Sequence, residues 1–310
     1  MNDSGLLDVG NGNRIFWETR GNPEGRPVLV VHGGPGSGRS RTAHTTFEQG
    51  MFDQDAFRVV SFDQRGCGYS VPSAADPTTD MTHNTTAHLL ADMERLREHL
   101  GVDTWLLFGG SWASTLILLY AQRHPENVSG IALVGVTMTT ADEIDWLYRG
   151  LRRLLPAAWE QFRAGAPDGD DVVEAYRLLM EDPDSGVREK AATDWCAWED
   201  AVIGHEALGS PGQYSAKTGA ARYEFVRICT HYFAHCAWLD DGQILRDAHR
   251  LQGIPGVLIH GRLDLGSPLS TAWDLAKAWP DATLNVIDDS GHTGSPAMRR
   301  AIAGAVDRFI

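Results

Sequence analysis

The feature that most constrains this chain is a short apolar segment that runs directly into Gly-Gly-Ser-Trp-Ala at residues 109–113. Thr104 to Phe108 has the composition of a buried strand, and the apolar segment after Ala113 has that of a helix ending near residues 124–125. Strand and helix approach closely at such a turn, so small residues are needed at positions 109 and 113. The pattern predicts a tight strand-to-helix turn with the Ser111 hydroxyl lifted clear of the sheet.

Further apolar segments rich in β-branched residues alternate with segments of helical periodicity. Asn84 to Leu100 and Ala297 to Phe309 have the helical pattern, with apolar residues three and four positions apart. Such alternation predicts a mostly parallel sheet with helices on both faces, the α/β class. The predicted buried strands are Pro27 to Val31, Arg58 to Phe62, Thr104 to Phe108, Gly130 to Val136, Gly256 to His260 and Thr283 to Ile287.

The middle of the chain has a different pattern. Strand patterns are missing between residues 138 and 250, where five of the ten tryptophans fall. Asp142 to Leu155, Asp171 to Glu181 and Val187 to Asp200 have helical periodicity. We therefore predict an α/β core formed by residues 1–137 and 251–310, with residues 138–250 inserted as a helical cap.

The overall composition narrows the possible partners. A net charge of −14 argues against nucleic acids and anionic membranes, both of which attract clustered Lys and Arg. The sequence has neither a secretory signal pattern nor an apolar stretch long enough to span a membrane. Its four cysteines lack CxxC spacing. We expect free thiols and a cytoplasmic location.

A second glycine-rich motif, His-Gly-Gly-Pro-Gly at residues 32–36, directly follows a predicted strand. Glycines leave backbone N–H groups accessible to a substrate oxygen. Ser111 is the predicted nucleophile, and the N–H groups of Gly34 and Trp112 are the predicted oxyanion donors. A phosphate-binding loop is the alternative for residues 32–36, but the Lys-Ser/Thr sequel of such loops is missing.

A serine hydroxyl requires a base, and the base requires an orienting acid. Asp264 follows the strand that ends at His260, and His292 follows the strand that ends at Ile287. We predict that they complete a triad with Ser111. Asp288 and Asp289 are alternative acids, although they lie too close to His292 in sequence to approach it from a separate strand. His260, inside its strand, is expected to be structural.

Taken together, these motifs resemble those of the proline iminopeptidase family, serine peptidases of the α/β-hydrolase fold that remove an N-terminal residue, typically proline. The resemblance extends over nearly the whole chain. It rests on HGGPG at residues 32–36, DQRGCG at 63–68, GGSW at 109–112, HGR at 260–262 and SGH at 290–292.

The resemblance implies a cap that recognises the free amine of the substrate through two glutamates. One belongs to a Trp-x-x-Trp-Glu motif, which here is Trp195, Trp198 and Glu199. The second is replaced by Cys229. Glu224 lies five residues earlier, about 140° around a helix, and is not expected to compensate. Trp195, Trp198, Glu199 and Cys229 are therefore the candidate substrate-binding residues.

The predicted function is hydrolysis of an N-terminal aminoacyl residue, proline, alanine or similar, from a small peptide or amide through an acyl-enzyme. Two alternatives are hydrolysis of an aminoacyl amide that tailors a biosynthetic amine, and an esterase without an amine requirement. We expect no metal or organic cofactor, because the triad supplies the proton transfers itself.

Overall fold

The computed structural model of the chain describes residues 3–38, 51–167, 169, 171–205 and 208–310. Within these residues eight strands form one sheet in the order β1-β2-β4-β3-β5-β6-β7-β8. The strands are β1 (Asp3–Gly10), β2 (Asn13–Gly21), β3 (Arg26–Val31), β4 (Phe57–Phe62), β5 (Trp105–Ser111), β6 (Val128–Val136), β7 (Gly256–Gly261) and β8 (Ala282–Ile287).

Strands β3 to β8 run parallel, and β1 and β2 add an antiparallel edge. The central strands are buried on both faces, which explains their continuous apolar sequences. Along β3, Leu29 and Val31 belong to the core on one face of the sheet, and Val28 and Val30 to the core on the other. The predicted α/β class is confirmed.

Ten α-helices lie in the described residues. They are α1 (Thr86–His99), α2 (Trp112–Arg123), α3 (Ala141–Tyr148), α4 (Pro156–Ala164), α5 (Val172–Met180), α6 (Ser185–Ile203), α7 (Ala220–Ala234), α8 (Gln243–Arg246), α9 (Leu269–Ala278) and α10 (Pro296–Asp307). Buried residues of α1, α2 and α9 pack against one face of the sheet, whereas those of α10 pack against the other.

The chain between β6 and β7 is helical, as the sequence indicates. Side chains cap several of its helices: Thr140 and Glu143 form a capping box at α3, and Asp171 accepts a hydrogen bond from the Glu174 N–H at α5. Aromatic residues of α3 to α7 form a separate apolar cluster that includes Trp195 and Trp198. The division into a core of residues 1–137 and 251–310 and a cap of residues 138–250 stays a prediction.

Candidate active site

Ser111 lies at the turn between β5 and α2, with a φ of 57° and a ψ of −133°. A residue with a Cβ adopts this left-handed φ at a cost of about 1–2 kcal/mol. The neighbouring positions explain why glycine is required beside it. A Cβ on Gly109 would lie 2.6 Å from the Ala113 Cβ and 2.8 Å from the Val31 oxygen, and one on Gly110 would lie 2.7 Å from the Val134 oxygen. The predicted close approach of strand and helix is confirmed.

The glycine-rich loop after β3 lies directly against this turn. A Cβ on Gly33 would approach the Gly110 oxygen to 3.1 Å and the Ser111 Cβ to 3.5 Å. Gly34 has a φ of 119°, which glycine alone adopts readily. Gly34 and Trp112, the two predicted oxyanion donors, both line the same cavity as Ser111.

The predicted acid and the predicted base meet at the ends of β7 and β8. His292 Nδ1 lies 2.8 Å from Asp264 Oδ2, and the Ser267 N–H donates to Asp264 Oδ1 at 2.9 Å. Asp264 is therefore held at both of its carboxylate oxygens. A Cβ on Gly135 would lie 3.4 Å from Asp264 Oδ2 and 3.5 Å from the His292 ring, so the end of β6 closes against the pair.

The alternative acids have other partners. Asp288 pairs with Arg262 at 2.6 Å, and Asp289 accepts a hydrogen bond from the Ser295 hydroxyl at 2.8 Å. His260 is completely buried, accepts a hydrogen bond from the Val136 N–H at 3.1 Å and lies 2.7 Å from the Ser267 oxygen. These contacts support a structural role for His260 and leave Asp264 as the acid paired with His292.

A cavity lies over these groups, between the sheet edge and the helical insertion. Ser111 and His292 lie on its floor beside the two predicted oxyanion donors, and Glu199 of α6 lies on its cap side. The remaining wall is mainly apolar and aromatic. Its other described residues are Thr137, Thr139, Glu143, Ile144, Leu147, Ile203, Tyr214, Phe233 and Gly266.

Glu199 is only 6% exposed. The Tyr148 hydroxyl donates a hydrogen bond to its Oε1. Burial raises the pKa of Glu199 to about 7, although the Tyr148 hydrogen bond and the nearby His292 charge act in the opposite direction. A carboxylate in such a site gains strongly from a bound cation, because its own solvation has been lost.

Trp195, Trp198 and Cys229 are not brought to the cavity wall within the described part of the chain. All three side chains are at most 1% exposed and belong to the aromatic cluster behind Glu199. The Cys229 thiol donates to the Pro35 oxygen at 3.1 Å, so it packs under the glycine-rich loop. Burial, followed by the Glu199 charge, raises the pKa of this thiol well above its usual value.

Glu224 is not among the described residues that line the cavity. It is buried and accepts hydrogen bonds from the Gly68 N–H at 3.2 Å and the Ser73 hydroxyl at 2.6 Å. Its carboxylate therefore stabilises the loop after β4. That Glu224 does not compensate for Cys229 stays a prediction.

Sequence reasoning missed Tyr148, Tyr214 and Glu143. Tyr148 binds Glu199 from a different helix, and Tyr214 lies on the cavity wall in an irregular segment where periodicity gives no information. Tyr214 stacks on Phe225 at 4.4 Å between ring centroids. The S/T-x-x-E pattern at Thr140 identifies Glu143 as a capping residue, but nothing in the sequence places its side chain at the cavity.

Residues 26–295 match the family described as alpha/beta hydrolase fold. A probable proline iminopeptidase of Streptomyces coelicolor is 45% identical to this chain, over 99% of the chain and 95% of that protein. The chain belongs to the proline iminopeptidase family of α/β-hydrolases. A proline iminopeptidase of Xylella fastidiosa is 40% identical, over 99% of the chain and 96% of that protein.

Solved structures agree on the fold. A proline iminopeptidase of Mycobacterium smegmatis superposes with a TM-score of 0.64 at 18% identity, covering 99% of this chain and 98% of that one. In the described part of the chain, no group of three or more His, Cys, Asp or Glu side chains is arranged to hold a metal ion. None of the described helices is both long and apolar enough to cross a membrane.

Proposed function

We propose that the protein removes an N-terminal proline from a small peptide or amide, with Ser111 as nucleophile. One observation carries the proposal. A single cavity contains Ser111, the His292 base, two candidate oxyanion donors and a buried carboxylate, Glu199. The first four supply acyl transfer, and the fifth supplies recognition of a free amine. The identity to relatives named proline iminopeptidases supports proline as the acyl residue.

Acylation begins when the Ser111 hydroxyl attacks the prolyl carbonyl and His292 takes its proton. Since His292 Nδ1 lies against Asp264, its Nε2 is the atom that accepts this proton. Asp264 orients the ring and stabilises the imidazolium. His292 then protonates the departing amine, and a water molecule repeats the sequence on the acyl-enzyme to release proline.

The negative charge that develops on the carbonyl oxygen is stabilised by the Gly34 and Trp112 N–H groups. Trp112 is the first residue of α2, so the positive end of the helix dipole acts on the same atom. Loss of one such donor costs about 3–4 kcal/mol of transition-state stabilisation in a related reaction.

The substrate ammonium is held by Glu199. Two tyrosines lie near this carboxylate: Tyr148 donates to it, and burial, followed by the Glu199 charge, raises the pKa of Tyr214 well above its usual value. Tyr214 also lines the cavity, and the oxygen of a tyrosine hydroxyl can accept a hydrogen bond from the amine. Glu199 and Tyr214 would thus supply two acceptors, which matches the two N–H bonds of a prolyl ammonium.

The four unpaired thiols, Cys67, Cys196, Cys229 and Cys236, suit a reducing compartment. A cytoplasmic location is part of the same proposal.

The test is a panel of prolyl, alanyl, leucyl and acetyl substrates with a common naphthylamide or p-nitrophenyl leaving group. We expect prolyl turnover to be the highest, to vanish in Ser111→Ala and to fall in Glu199→Gln, while hydrolysis of the acetyl ester is unchanged in Glu199→Gln. If the alanyl substrate is turned over fastest, the reaction is still aminopeptidase hydrolysis, but the acyl residue is alanine rather than proline. Equal prolyl and acetyl turnover, insensitive to Glu199→Gln, would refute the proposal and identify an esterase.

A further inference from the structure

The DQRGCG motif at residues 63–68 has no role in the reaction described so far. Its strand, β4, lies next to β3, and β3 lies next to β5. Because the three strands are parallel, their carboxyl ends meet at one edge of the sheet. The residues that follow them are the motif itself, the glycine-rich loop at 32–36 and the turn at Ser111.

Gln64 joins these three segments. Its side-chain Nε2 donates to the His32 oxygen at 2.8 Å, and its Oε1 accepts from the Trp112 indole Nε1 at 3.1 Å. Its backbone N–H donates to His32 Nε2 at 3.0 Å. Gln64 is 2% exposed, so solvent competes little for these hydrogen bonds.

The orientation of the Gln64 amide is fixed by its neighbours. The His32 oxygen can only accept and the Trp112 indole N–H can only donate, so the reversed amide would oppose like groups at both ends. The His32 tautomer is fixed in the same way. Its Nε2 accepts from the Gln64 N–H, which leaves Nδ1 to carry the proton and donate to the Gly33 oxygen at 2.9 Å.

We propose that Gln64 is a positioning residue that sets the separation of the two oxyanion donors, by linking the loop that carries Gly34 to the first residue of α2. The inference rests on the donor assignment made above. The buried Gln64 amide forms hydrogen bonds with His32 and with the Trp112 indole. His32 lies two residues before Gly34, the first donor, and the backbone N–H of Trp112 is the second donor. Oxyanion stabilisation depends steeply on the distance of each donor from the oxyanion. If the loop shifts, the catalytic rate should therefore fall, while binding of the substrate in the ground state changes little.

The principal variant is Gln64→Met, which keeps the length of the side chain and removes both of its hydrogen bonds. We expect kcat for a prolyl amide to fall by about 10- to 100-fold, with KM changed by less than about threefold. Ser70→Ala is the matched control. Ser70 is also buried in this loop, and its hydroxyl donates to the Asp63 oxygen at 2.7 Å and accepts from the Phe16 N–H at 2.9 Å, but it does not contact the bridge.

Thermal unfolding of both variants separates positioning from stability. We expect Ser70→Ala to lose stability and to keep kcat within about twofold of wild type, because the two oxyanion donors are undisturbed in this variant. Trp112→Phe, which removes the indole N–H together with the five-membered ring, should reduce kcat less in Gln64→Met than in wild type, because one of the contacts that it removes is already broken there. Equal kcat in Gln64→Met and Ser70→Ala would overturn the proposal.

Gln64→Glu supplies a second test that does not depend on how Gln64→Met folds. A protonated carboxyl group can donate to the His32 oxygen and accept from Trp112, whereas a carboxylate can only accept. The activity of this variant relative to wild type should therefore rise as the pH falls. A ratio that does not change with pH, or that rises with pH, would contradict the proposed bridge.

The same experiments distinguish this inference from the proposed function. If wild type hydrolyses p-nitrophenyl acetate but no prolyl amide, the proposed specificity is wrong, and the Gln64 comparison can be made on the ester, since both reactions need the oxyanion donors. If Glu199→Gln loses prolyl specificity and Gln64→Met keeps the kcat of wild type, the proposed function stands and the proposed role of Gln64 is refuted.

Discussion

Binding of a cationic ligand should depend on pH through Glu199. Its pKa of about 7 means that about nine tenths of the side chains are ionised at pH 8 and about one tenth at pH 6. Only the ionised form attracts an ammonium group. The dissociation constant of L-prolinamide should therefore rise about tenfold from pH 8 to pH 6, which corresponds to about 1.4 kcal/mol.

The measurement is titration calorimetry on the Ser111→Ala variant, which binds prolinamide without hydrolysing it. Adding Glu199→Gln removes the charge and leaves the amide able to accept one hydrogen bond. A lost hydrogen bond to a charged group costs about 1.5–3 kcal/mol, so we expect affinity at pH 8 to fall by about 10- to 150-fold. The tenfold pH dependence should disappear with it.

Glu143→Gln is the matched control, because it replaces a second, partly buried carboxylate on the same cavity wall. Glu143 accepts hydrogen bonds from the Met138 and Thr140 N–H groups and from the Thr271 hydroxyl, so its oxygens already have donors. Its substitution should leave both affinity and pH dependence unchanged. If prolinamide affinity depends on pH equally in Ser111→Ala and in Ser111→Ala with Glu199→Gln, the assignment of the pH dependence to Glu199 is refuted.

Three further predictions concern the same cavity. Because the folded-state pKa of Glu199 is raised to about 7, ionising this side chain destabilises the wild-type fold as the pH rises from about 4.5 to 7. Glu199→Gln does not ionise, so its free energy of unfolding should rise by roughly 3 kcal/mol relative to that of wild type between pH 4 and pH 8, measured by urea unfolding. Tyr148→Phe removes a hydrogen bond to the carboxylate and should move the midpoint of prolinamide binding to higher pH, read by calorimetry. Cys229→Glu should place a second carboxylate, shielded from solvent, near Glu199 and the Pro35 oxygen. We expect the variant to lose about 3 kcal/mol or more of its free energy of unfolding and to gain no prolyl turnover.

The core, and the meeting of Asp264 with His292, could be predicted because their sequence patterns are local. A strand buried on both faces is continuously apolar, and each predicted catalytic side chain follows soon after one, as Asp264 follows β7 and His292 follows β8. The first two strands could not be recognised in this way. They form the antiparallel edge of the sheet, where β1 is largely exposed and mixes polar with apolar residues.

The proposed amine site was harder to predict from the sequence, because its contacts join segments that are far apart in the chain. A Trp-x-x-Trp spacing does not reveal whether the rings face a ligand or pack in a core, and here both lie in the aromatic cluster behind Glu199. The partners of Glu199 come from α3 and from the segment before α7, which only the fold brings together. The bridge through Gln64 likewise depends on the neighbouring positions of β4, β3 and β5.

The helical insertion leaves the sheet after β6 and returns at β7, and these two strands are hydrogen-bonded neighbours, with Ile131 opposite Gly256. Because the two strands are parallel, the chain leaves β6 at its carboxyl end and enters β7 at its amino end, on the opposite edge of the sheet. A replacement segment of another length or sequence leaves strand pairing intact if the connection that crosses back to the start of β7 is kept. Ligand preference can then be redesigned by exchanging whole inserts, while the residues that break the bond keep their places on an unaltered scaffold.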